Sequence, residues 1–108
     1  MAEEWLGWTL DRTADIPRCH RFSFGDRLDR LTLELLETVI EARFAANADK
    51  PALLRKINLL LEKLRAFWRL AEARGWINQR QLLHTATRLD EMGRMAGGWL
   101  KSLEKGRP

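Results

Sequence analysis

The sequence predicts an all-α fold, an antiparallel up-down four-helix bundle, and three observations carry that prediction. Apolar residues recur at three- and four-residue steps over long stretches, the spacing that lays one stripe along a helix. No alternating pattern of the kind a half-buried strand needs competes with them. Helix-breaking residues divide the stretches at loops so short that consecutive helices must lie antiparallel and adjacent. At 108 residues and 45% hydrophobic, the chain carries enough apolar surface for one core, so residues 1–108 are read as a single domain.

Helix one is expected over about residues 3–13, with Trp5, Leu6, Trp8 and Leu10, and it fades before Asp15-Ile16-Pro17 because proline disfavours helix in the residue before it. Arg18-Cys19-His20-Arg21-Phe22 reads as a loop closed by Ser23, whose hydroxyl caps the next helix, with Asp26 near that helix's positive end. Arg27 reads as the ion-pair partner of Asp26 or as an anchor spanning the bundle. Helix two, about 24–46, lines its core face with Leu28, Leu31, Leu35, Val39 and Ala42. A second line, Leu33, Leu36, Ile40 and Phe44, is expected to widen the buried arc and leave Arg30, Glu34, Glu37 and Glu41 toward water.

Pro51 suits a first helical turn, where its missing N–H forfeits no bond, and it opens helix three, about 51–74. Leu53, Ile57, Leu60, Leu64, Phe67 and Ala71 form the core line there, flanked by Leu54, Leu61 and Trp68, and Gly75 ends the helix. Asn78 caps helix four, about 78–104, whose core line is Leu82, Ala86, Leu89, Gly93, Ala96, Leu100 and Leu103, ending before Gly106 and Pro108. Gly97-Gly98 interrupts it, and each glycine inside a helix costs about 1 kcal/mol relative to alanine. Either the helix ends at Ala96, or another helix approaches the backbone closely at this point.

Charge is unevenly divided. Residues 1–49 carry six Lys/Arg and ten Asp/Glu, residues 50–108 thirteen and five, so the net +4 arises from a basic second half. Arg80, Arg94 and Lys101, with Thr87 completing the seven-residue steps and Lys105 just beyond, fall on one flank of helix four. On helix three Lys56, Lys63 and Arg74 form another basic line, and Arg55 and Arg69 bracket Glu62. Arginine outnumbers lysine fourteen to five, which suits phosphate contact because the planar guanidinium donates two parallel hydrogen bonds. Such a surface would track phosphates with low sequence preference. Each line also reads as an ordinary solvated face, and Glu34, Glu37 and Glu41 offer a rival use for the cations, as pairing partners on an adjacent subunit. Opposite the core stripe of helix three run Ala52, Leu59, Ala66, Leu70 and Ala73, read as a homo-oligomer interface, with scattered surface alanine and leucine as the plainer alternative.

No apolar run approaches the roughly 20 residues that span a bilayer, and Met1-Ala2-Glu3-Glu4 is acidic where a signal peptide is basic, so a cytoplasmic protein without a membrane role is expected. The lone Cys19 fits a reducing compartment, and with only His20 and His84 beside it no metal and no cofactor are expected. No Gly-rich phosphate loop, nucleophile elbow or His/Cys set is present, and Asp90-Glu91 diverge on a helix, so the expectation is binding rather than catalysis.

Three pieces of the chain together resemble a known family. They are Arg21-Phe22-Ser23-Phe24-Gly25-Asp26-Arg27-Leu28, then Leu61-Glu62-Lys63-Leu64-Arg65 with Arg69-Leu70-Ala71, then Leu89-Asp90-Glu91-Met92-Gly93-Arg94-Met95 running into Gly97-Gly98-Trp99-Leu100-Lys101-Ser102. In this order and at these intervals they look like the accessory variability determinant, Avd, of bacterial diversity-generating retroelements, over nearly the whole chain from Pro17 onward. The resemblance implies a four-helix protomer in a pentameric barrel with a positively charged surface. It also implies association with the element's reverse transcriptase and binding of RNA and DNA, as a non-catalytic partner in mutagenic retrohoming and template-primed cDNA synthesis. Related four-helix proteins are encoded in intervening sequences of bacterial ribosomal RNA genes. They supply the alternative of a self-assembling bundle with no nucleic-acid role.

Overall fold

The computed structural model describes residues 2–13 and 16–105. In chain order its elements are α1 (Ala2–Thr13), a single turn α2 (Arg18–His20), a π-helical turn (Arg21–Gly25), α3 (Asp26–Phe44), α4 (Lys50–Ala73) and α5 (Gln79–Lys105). The four long helices, α1, α3, α4 and α5, make a bundle 53 × 23 × 20 Å across, with no strand among the described residues. Asp15, Gly106 and Pro108, read above as punctuation, lie outside the described residues.

The leucine stripes meet where their spacing puts them. Leu28, Leu31 and Leu35 of α3, Leu54, Leu61, Leu64 and Trp68 of α4, and Leu89 of α5 are buried in one core. Removing a side chain of this size from water is worth roughly 1.5–3 kcal/mol, so these contacts dominate the favourable side of folding. α1 joins through tryptophans. The buried Trp5 donates its indole N–H to the Thr85 hydroxyl of α5 at 3.0 Å, and Trp8 packs on Trp68 and His84 with ring centroids 5.3 and 4.9 Å apart.

The turn between α4 and α5 is built from three residues. Gly75 takes φ 76°, a left-handed backbone that ends α4 and lets Trp76 N donate to Ala71 O at 2.9 Å. Asn78 then caps α5. Its Oδ1 accepts from Gln81 N at 2.8 Å while Gln81 Oε1 accepts from Asn78 N at 2.9 Å, satisfying two otherwise orphan donors reciprocally.

Four expectations need correction. Arg18–Phe22 is helical rather than loop: α2 runs into the π-helical turn, which continues directly into α3. Aromatic packing fixes that turn, since Phe24 lies 5.2 Å from Phe67 and 5.0 Å from Trp76, and His20 lies 5.1 Å from Trp76. Ser23 therefore caps nothing: its hydroxyl donates backward to His20 O at 3.3 Å, and Asp26 pairs with Arg30 at 2.9 Å rather than with Arg27.

The second apolar line of α3 does not widen the core. Leu33, Ile40 and Phe44 are 41%, 46% and 86% exposed. The cause is angular: at about 100° per residue these three lie roughly 120–180° around α3 from Leu28, Leu31 and Leu35, on the face turned away from the core. α5 itself runs through Gly97 and Gly98 to Lys105, and no atom lies within 4 Å of a Cβ built at either glycine. Close approach by another helix of the same chain therefore does not explain the pair.

Candidate nucleic-acid interface

The cations singled out in the sequence fall into two groups. On α5, Arg80, Thr87, Arg94 and Lys101 form one exposed row, because residues seven apart return to nearly the same helical direction. Arg80, Arg94 and Lys101 make no ion pair among the described residues. The Lys105 side chain lies outside the described residues.

Several α4 cations are engaged within the bundle instead. Lys56 lies 3.4 Å from Glu34 of α3, and Arg55 lies 3.8 Å from Glu104 of α5. Arg74 sits over the Trp76 ring, 5.6 Å from its centroid. Lys63 and Arg69 are exposed and make no ion pair among the described residues. Surface pairs of this kind are worth about 0–1 kcal/mol, so Lys56 and Arg55 could be redirected to a phosphate at small cost.

The residue that organises this side of the molecule is Arg65, quoted in the resemblance but given no role by the sequence reading. Its guanidinium pairs with Glu62 on the same helix, lies 3.1 Å from Asp90 of α5 and donates to Leu89 O at 3.5 Å. Arg65 thereby ties α4 to α5 and holds two acids that would otherwise weaken the field of Arg69 and Arg94. The Glu62-x-x-Arg65 spacing was the available signal. Gly93 makes room for it, since a Cβ there would stand 3.2 Å from Arg65 Nη2.

The apolar strip of α4 is on the surface. Ala52, Ala66 and Ala73 are exposed, and Leu59 and Leu70 are 56% and 46% exposed. Glu37 and Glu41 stand on the outer face of α3, while Glu34 is occupied by Lys56 of the same chain. One titrating group is perturbed. Asp29 is raised above the ordinary carboxylate range, first by burial and then by the neighbouring Asp26, against a hydrogen bond with Thr13 that lowers it. It lies at the α1–α3 contact, away from the cation row. Among the described residues no group of three His, Cys, Asp or Glu could hold a metal, and no helix is long and apolar enough to cross a membrane.

Comparison with known proteins gives one match. The family model described as bAvd-like matches residues 2–103. No curated protein and no solved structure matches the chain.

Proposed function

The chain belongs to the bAvd-like family, and on that premise we propose that it is a non-catalytic accessory protein of a diversity-generating retroelement, acting in the cytoplasm with the element's reverse transcriptase and nucleic acid. The observation that carries the nucleic-acid part is the α5 row. Arg80, Arg94 and Lys101 are exposed along one helix and make no ion pair among the described residues, and positive charge so placed attracts a phosphate backbone of any sequence. Arg69 extends the field onto α4, and Lys56, Arg55, Arg74 and Lys105 are its secondary contributors.

Self-assembly accompanies this role. The strip Ala52, Leu59, Ala66, Leu70 and Ala73 is the contact between copies, with the acids Glu37 and Glu41 of a neighbour facing Lys63. Because the apolar-basic face of α4 and the acidic face of α3 are unlike, the contact is head-to-tail, and head-to-tail contacts that close make rings. A pentameric ring is the form that resemblance to the family supports.

Anisotropy titrations with labelled single-stranded RNA and DNA of unrelated sequence test the reading. Similar affinities at low salt are expected, with loss of about tenfold or more once Arg80, Arg94 and Lys101 become alanine. No binding at low salt would leave only the self-assembling alternative.

A further inference from the structure

Two outward faces of the bundle carry apolar lines of matching length. On α3, Leu33, Ile40 and Phe44 are 41%, 46% and 86% exposed and point away from the core. On α4, Leu59 and Leu70 are 56% and 46% exposed, with the exposed Ala66 between them. Leu33 and Phe44 stand eleven residues apart, and so do Leu59 and Leu70, about 16 Å along either helix. Lines of this extent are costly to leave in water, and each has the dimensions to cover the other.

The charges beside the lines select a direction. At about 100° per residue, Glu37 and Glu41 lie roughly 40–80° round from the α3 line, and Lys63 lies roughly 45° round from the α4 line in the same sense. On the opposite flank α3 carries Arg43, and α4 carries Arg55, Glu62 and Arg69. Glu37, Glu41, Arg43 and Lys63 make no ion pair among the described residues. Two helices packed face to face bring corresponding flanks together when antiparallel and opposite flanks together when parallel. With Leu33 set against Leu70 and Phe44 against Leu59, the antiparallel pair brings Glu41 level with Lys63 on one flank and Arg43 level with Glu62 on the other, each within about two residues. Arg30 comes level with Arg74, but Asp26, 2.9 Å from Arg30, accompanies it. The parallel pair instead brings Glu37 level with Glu62 and sets Lys63 against the apolar Leu36.

Resting on the self-assembly reading above, we propose that the α4 strip receives the Leu33, Ile40 and Phe44 line of α3 from the next copy, antiparallel, with Leu33 against Leu70 and Phe44 against Leu59. Glu41 of one copy meets Lys63 of the next, Arg43 meets Glu62, and the small Ala66 leaves room for Ile40. Within one chain a five-residue turn folds α4 back along α3, and Lys56 reaches Glu34 across the seam. Copies related by rotation about an axis along the bundle all point the same way, so α3 of one runs antiparallel to α4 of its neighbour, the direction the charges select. Each copy turns α3 to one neighbour and α4 to the other, and the contact repeats around a ring.

Disulfide trapping reads the register directly, with Cys19→Ser removing the native thiol. Phe44→Cys with Leu59→Cys in one chain should give, on mild oxidation, a ladder of covalent multimers extending past the dimer, since a disulfide needs Cα atoms within about 7 Å. Phe44→Cys with Leu70→Cys, which would face each other only in the parallel pair, should give none. Lys63→Glu should weaken association in sedimentation about tenfold or more, and adding Glu41→Lys should restore it. Ile40→Asp with Phe44→Asp should dissociate the oligomer with helical circular dichroism unchanged, because both side chains are exposed in the protomer. The proposal is overturned if the ladder stops at the dimer, if the parallel pair cross-links equally, or if Ile40→Asp with Phe44→Asp leaves the oligomer intact. In that last case, dissociation by Leu59→Asp with Leu70→Asp would keep the self-assembly reading and remove only its α3 partner. An original protein that sediments as a monomer would remove both.

Discussion

Replacing Gly97 and Gly98 together by alanine separates the stability of α5 from the use of its outer surface. Alanine is favoured over glycine inside a helix by about 1 kcal/mol per residue, mainly because it has less backbone freedom to lose. Neither new Cβ would meet an atom within 4 Å, so no clash opposes the gain. The pair should therefore add about 2 kcal/mol. For a chain of this size each kcal/mol moves the thermal midpoint by roughly 4–8 °C, giving an expected rise of about 8–16 °C. Circular dichroism melts at matched protomer concentration measure it, since assembly makes the midpoint concentration-dependent. Gly93→Ala is the internal control: its Cβ would stand 3.2 Å from Arg65 Nη2, so displacement of that guanidinium offsets most of the propensity gain. The glycine pair lies between Arg94 and Lys101, and two added methyl groups there should hold a bound backbone away and weaken nucleic-acid binding as stability rises. A midpoint that falls would refute the description of α5 as one continuous, unobstructed helix. A stabilised variant that binds as well as the original would refute close approach at the glycines.

Three further outcomes are expected. Thr85→Val, nearly isosteric, leaves the buried Trp5 indole N–H without its 3.0 Å acceptor and should destabilise the fold by about 1–3 kcal/mol, read from urea unfolding. Leu59→Asp with Leu70→Asp should reduce the oligomer to protomers in sedimentation while leaving helicity unchanged, because both side chains are exposed in the free protomer. For Asp29, whose folded-state pKa is raised chiefly by burial, the favourable contribution is present below the unfolded-state value and is lost as pH rises through the folded-state value. Asp29→Asn should accordingly be more stable than the original at pH 7, and the difference should shrink as pH is lowered through the acid range, as measured by thermal melts across pH.

Local punctuation was legible in the sequence because its physics is local. Pro51, Gly75 and Asn78 each act through their own backbone or through a residue three positions away, and each stands where its chemistry placed it. The stripe from Leu53 to Ala71 was legible because periodicity reports which residues share a face. Leu33, Ile40 and Phe44 are also regularly spaced, but roughly 120–180° around the helix from Leu28, Leu31 and Leu35, so spacing without angle assigned to the core a line that is exposed. Arg21–Gly25 was unreadable for a different reason. Its glycine and serine are loop-like in composition, while the contacts that make it helical come from Phe67 and Trp76, far along the chain. Among the site residues, sequence spacing grouped Arg80, Arg94 and Lys101 as one row. It could not reveal that Lys56 is engaged by Glu34 or that Arg65 bridges two helices, since both depend on tertiary placement.

The central claim is that the α5 row engages nucleic acid through its phosphates. The most direct measurement is the slope of log K against log salt for a single-stranded RNA, compared between the original protein and the variant with Arg80, Arg94 and Lys101 replaced by alanine. Each phosphate contact to a single strand contributes about 0.7 to the slope, so losing three cations should flatten it by about 2 per protomer engaged. An unchanged slope, or binding insensitive to salt in both proteins, would contradict the claim.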